Sequence, residues 1–81
     1  MVVHVKLFAV LRDRAGTGVL TLDLRDSATC ADALTVVAQR FPSLAPMLPR
    51  VACAVNQEYV AADAVLREGD DLALIPPVSG G

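Results

Sequence analysis

The residues of this chain best placed to do chemistry stand at its carboxyl end, Pro76-Pro77-Val78-Ser79-Gly80-Gly81. Two closing glycines would arise by chance at about half a per cent, given a glycine frequency of about 7%. Extended at about 3.3 Å per residue, six residues span roughly 20 Å, enough to carry a terminal carboxylate into a partner's deep active site. Pro76 and Pro77 hold the root of such an arm extended, which lowers the entropy cost of insertion, and Gly80 and Gly81 bring no side chain into a narrow channel. An α-carboxyl with a pKa near about 3.5 is ionised at neutral pH and resists nucleophiles. Useful chemistry at Gly81 therefore needs a separate enzyme that converts the carboxylate to an acyl phosphate or adenylate, so the chain reads as a substrate and carrier. Residues 76–81 are expected to form a flexible tail on a domain spanning 1–75.

The remaining candidate groups do not assemble into a catalytic kit. Cys30 and Cys53 are the only cysteines. With no Cys-x-x-Cys pair and no neighbouring His they fit buried thiols better than a zinc site or a disulfide. His4 is the only histidine, and it falls on the wet side of a strand without the orienting partner and nucleophile that a general base needs. Glu68, Asp70 and Asp71 surround Gly69 in what reads as a tight turn, where carboxylates face water more often than they hold a cation. Phosphate-loop, dinucleotide and nucleophile-elbow motifs are absent from the sequence. No metal and no permanently bound cofactor is expected, and a module is favoured over an enzyme.

Charge and hydropathy narrow the classes further. Seven Lys/Arg against nine Asp/Glu give a net charge of −2, with the basic residues scattered, so no nucleic-acid footprint is present. Lys6 interrupts the first apolar run and Arg12-Asp13-Arg14 follows, which fits neither a signal peptide nor a spanning helix. A cytoplasmic location without membrane or nucleic-acid partners is the expectation.

A chain of 81 residues, 54% of them apolar, closes one core and no second. Alternation predicts strands over Val2 to Phe8 and Val19 to Arg25, joined as a hairpin, with one helical turn at Ala9 to Arg12. The period then changes. Cys30, Leu34, Val37, Ala38 and Phe41 form a helical stripe, with Thr29 as N-cap, Asp32 completing the cap, and Pro42 as the stop. Ser43 to Arg50 reads as a loop with at most a short turn. A strand over Val51 to Val55, a turn at Asn56-Gln57, a short segment at Tyr59-Val60, a turn at Glu68-Gly69-Asp70 and a strand over Leu72 to Ile75 complete the order. The arrangement is α+β: a mixed sheet of four to five strands with one main helix packed across it.

This order, with its Gly-Gly end, resembles the ubiquitin-like β-grasp proteins. Val5-Lys6-Leu7-Phe8-Ala9 with Leu11-Arg12, then Ala54-Val55-Asn56-Gln57, Glu68-Gly69-Asp70 and the closing Ile75 to Gly81 are similar to the small, sulfur-carrier subunits of molybdopterin synthase. The resemblance implies a cycle. An ATP-dependent activating enzyme adenylates the Gly81 carboxylate, sulfur replaces AMP to give a thiocarboxylate, and the carrier delivers that sulfur to cyclic pyranopterin monophosphate on a large catalytic subunit, in a heterotetramer. Related carriers of the same fold, for thiamin, tRNA thiolation or cysteine synthesis, share the tail chemistry. An interaction module whose end is never activated is the alternative of another class.

A docking surface follows from strand alternation independently. It puts Phe8 and Tyr59 on the outer face with Ile75 beside the tail on the same side, groups that are costly to leave exposed unless a partner covers them.

Overall fold

In β1 (Val2–Leu7) and β2 (Val19–Asp23), apolar and polar residues alternate, so each strand has a face for the core and a face for solvent. The computed structural model describes residues 1–77. In it the two strands pair antiparallel with Val5 opposite Leu20 and Lys6 opposite Val19. Val3, Val5, Leu7, Leu20 and Leu22 are buried on the inner face.

The link between them holds more helix than the single turn expected. Helix α1 runs Ala9–Ala15, buries Leu11, and stops at Gly16, whose φ of 78° lets its N–H turn back to the Arg12 carbonyl at 2.9 Å. Gly16 thus ends a helix, a role that glycine fills because it enters the left-handed region without strain.

Helix α2 (Cys30–Arg40) begins with the predicted cap. The Asp32 N–H donates to Thr29 Oγ1 at 3.2 Å, and the Thr29 N–H donates to Asp32 Oδ2 at 2.9 Å. Arg25 donates to the same carboxylate oxygen at 2.9 Å. The helix stops at Arg40, with Phe41 as its C-cap and Pro42 opening the next turn.

The buried stripe on α2 is rotated from the predicted one: Cys30, Ala33 and Val37 are buried, while Leu34, Ala38 and Phe41 are half-buried. Ala33 is the small residue on the sheet-facing line. Leu34 and Ala38 turn aside into a shallow groove with Ala45, Leu48 and Pro49. The stretch expected to be a loop supplies the rest of that groove. It forms two single-turn 3-10 helices, Pro42–Leu44 and Leu48–Arg50, each with a proline in its first turn, and these bury Leu44 and Leu48.

Strands β3 (Ala52–Val55), β4 (Glu58–Val60) and β5 (Asp71–Ile75) finish the sheet, in the order β2-β1-β5-β3-β4. β1 and β5 are parallel at its centre and the other pairs are antiparallel. The five-stranded mixed sheet with α2 on one face is the β-grasp fold, with α1 as a second, shorter helix. Asn56 and Gln57, at φ 50° and 74°, form the two-residue turn between β3 and β4. The turn at Glu68 to Asp70 is tied to the start of β1. Gly69, at φ 83°, donates its N–H to the Val2 carbonyl at 2.7 Å, and the Val2 N–H donates to Glu68 Oε1 at 3.0 Å. Pro76 and Pro77 follow β5 outside any strand, and Val78, Ser79, Gly80 and Gly81 lie outside the described residues.

Candidate docking face and tail root

Strand register assembles the outer face of the sheet. One row runs Val19, Lys6, Ala73, Ala54, Tyr59, and a neighbouring one runs Thr21, His4, Asp71. Ile75 stands opposite Ala52 on the same face. Leu7 pairs with Leu74 in the parallel β1/β5 register, so Phe8, still extended at φ −123° and ψ 155°, continues β1 beside Ile75. The three predicted docking residues therefore share one face. Phe8 is 44% exposed and Tyr59 73% exposed, whereas Ile75 is half-buried. Ile75 is partly screened because its strand lies between β1 and β3 rather than at an edge.

Between the large side chains the face is low. Ala73 and Ala54 occupy the middle of the row, and a cleft of about 340 Å³ opens there, lined by Lys6, Phe8, Asn56, Gln57, Asp71 and Ala73. Its rim is fixed by Asn56. The Asn56 side chain donates to Asp70 Oδ1 and accepts from the Asp71 N–H, both at 3.0 Å, and its backbone N–H donates to the Asp71 carbonyl at 2.8 Å. Asp70 also accepts from the Arg67 N–H at 2.8 Å. The acidic cluster around Gly69 thus ties turns to strands. Lys6 and Gln57 join Phe8 in lining this cleft, and strand alternation puts Lys6 on the face of Phe8.

At the end of β5 the chain leaves over a smaller pocket of about 170 Å³, lined by Val10, Pro46, Met47, Arg50, Pro76 and Pro77. Helix α1 and the second 3-10 turn therefore flank the root of the tail. Nothing in the spacing of Val10, Met47 and Arg50 signals this, because the three come together only when the 3-10 turns form. Ala9, between Phe8 and Val10, adopts φ 50°, a left-handed conformation that costs a residue with a Cβ about 1 kcal/mol or more.

On the opposite face, inside the core, Cys30 of α2 and Cys53 of β3 are free and buried. Burial above all, with Cys53 and Asp70 adding, pushes the Cys30 thiol up to about 11, and burial raises Cys53 as well. Both stay protonated at neutral pH, which makes them packing groups rather than nucleophiles. His4 is half-buried on the outer face.

A β-grasp fold with one uncovered sheet face, whose strand β5 leads into Pro76 and Pro77, defines a ubiquitin-like protein. The ThiS family model matches residues 5–81, and the chain belongs to that family. It is 38% identical over 79 residues to the molybdopterin synthase sulfur carrier subunit of Arabidopsis thaliana, covering 98% of this chain and 82% of the relative. Among solved structures, SAMP1 from Haloferax volcanii is 32% identical with a TM-score of 0.89 over the whole of both chains. A chain in the complex of subunits 1 and 2 of molybdopterin-converting factor from Helicobacter pylori is 26% identical with a TM-score of 0.69, again over both full chains.

Proposed function

We propose that this chain is the sulfur carrier subunit of a molybdopterin synthase, non-catalytic by itself. The observation that carries the reading is its near full-length similarity to a carrier of that name, on a β-grasp fold with an exposed apolar face leading to the tail root. The Gly81 carboxylate attacks the α-phosphate of ATP on an activating enzyme, giving an acyl adenylate and releasing pyrophosphate. A sulfur donor then displaces AMP, and the resulting thiocarboxylate is the carried group. On the large catalytic subunit its sulfur passes to cyclic pyranopterin monophosphate, and two deliveries build the dithiolene. ATP is consumed by the activating enzyme and is not a resident cofactor of this chain.

In this scheme Phe8, Tyr59 and Ile75 hold the large subunit, Pro76 and Pro77 aim the arm, and Val78, Ser79 and Gly80 thread it so that Gly81 reaches the pterin. A heterotetramer of two carriers and two large subunits, working in the cytoplasm, is the assembly this implies. The similarity to a chain solved in a complex of two subunits of molybdopterin-converting factor supports a large-subunit partner. The test is reconstitution: the thiocarboxylated carrier, purified large subunit and pterin precursor should yield molybdopterin. Failure there, with sulfur delivered instead in a thiamin, tRNA-thiolation or cysteine-forming system, would move the chain to a sister carrier. No sulfur loading at all would leave an interaction module.

A further inference from the structure

We propose that Lys6 is the charged anchor of the docking face, and that the cleft beside it receives an Asp or Glu side chain of the large subunit; this rests on the reading just given. Lys6 is the only lysine in the chain. Register places it in the middle of the outer face, between Val19 and Ala73, and two residues before Phe8 on the same side of β1. Its side chain is exposed and enters none of the ion pairs among the described residues. Asp71, the one carboxylate on the cleft, stands diagonal to it in the sheet and does not reach ion-pair distance.

The surroundings determine what must come to it. Any partner that covers Phe8 also covers the cleft that Phe8 and Lys6 share, and so strips water from the ammonium. An ammonium desolvated without a counter-charge is strongly penalised, so a cognate surface has to bring an anion to that point. The small Ala73 in the cleft lining leaves room for a side chain to enter. The Asn56 amide is already committed to Asp70 and Asp71, while Gln57 makes no side-chain hydrogen bond among the described residues and can join the recognition. Phe8 lines this cleft and continues β1 beside Ile75, so such a contact lies next to the end of β5.

The test is the affinity of the full chain for the purified large subunit, titrated at low and at high salt. Lys6→Met should weaken binding about 10-fold and flatten its salt dependence, Lys6→Glu about 100-fold, and Lys6→Arg only a few-fold. Arg67→Glu makes the same charge change on the far side of the Asn56 turn and should stay within about twofold, with melting temperatures recording that each variant is folded. Lys6→Glu binding as tightly as the unaltered chain overturns the proposal, as does an equal loss in Arg67→Glu, which would mark a net-charge effect. If the unaltered chain itself does not bind the large subunit, the reading of the preceding subsection falls and this one with it.

Discussion

Phe8, Tyr59 and Ile75 are the proposed contact residues, and they share the outer face of the sheet. Phe8→Ala and Ile75→Ala, next to the tail root, should each lower affinity for the large subunit by about 2 kcal/mol, roughly 30-fold, with the melting temperature little changed for Phe8. Calorimetric titration checks this, and unchanged affinity in both variants refutes the patch. The buried thiols predict a pH effect of definite sign. Cys30 is raised from an ordinary value of 9.0 to about 11 in the folded protein. Between these limits the folded state holds a proton that the unfolded state has lost, so stability is intact below pH 9 and declines as pH rises toward 11. Melts across that range should show the decline, reduced in Cys30→Ala relative to that variant's own starting point, and a thiol reagent at neutral pH should label neither cysteine until the chain is unfolded. The burial of both cysteines and the outward placement of Phe8 and Tyr59 were readable from residue type and alternation. Lys6 carries the same signal, but a lone charge on a wet strand face looks like ordinary solvation until the fold sets the small Ala73 beside it in the cleft.

Helix α2 and the Asn56 turn pose the sharpest tests among the elements. Thr29→Ala removes the cap acceptor for the Asp32 N–H and should cost about 1 kcal/mol, lowering the melting temperature by roughly 4–8 °C in a domain of this size. The Thr29 N–H above all holds the Asp32 carboxyl below the usual carboxylate range, with the Thr29 side chain and Arg25 adding. Its contribution is present above the ordinary carboxylate pKa and is lost as pH falls through the lowered folded value. Asn56→Ala deletes two hydrogen bonds and places an alanine at φ 50°, and should cost about 2 kcal/mol or more; chemical denaturation measures it. Alternation and capping chemistry marked every strand and α2 in the sequence to within a residue or two, since those signals are local. The two-turn length of α1, the 3-10 turns and the rotation of the α2 stripe were not marked. Each depends on what packs against it: Leu11 and Leu44 are buried only by the assembled core, and Ala33 faces the sheet because the closest line of approach takes the smallest side chain.

Across the whole molecule, the central strand β5 leads into Pro76 and Pro77, which lie beside Val10 of α1 and Arg50 of the second 3-10 turn. Under the proposed function, docking and sulfur delivery would both take place at this end of the sheet. The most direct measurement is intact mass after incubation with ATP, the activating enzyme and a sulfur donor. The account predicts a gain of about 16 Da, the exchange of one oxygen for sulfur, confined to the carboxyl-terminal peptide and absent when Gly81 is deleted. A mass that does not change, or a gain that persists without Gly81, would contradict it.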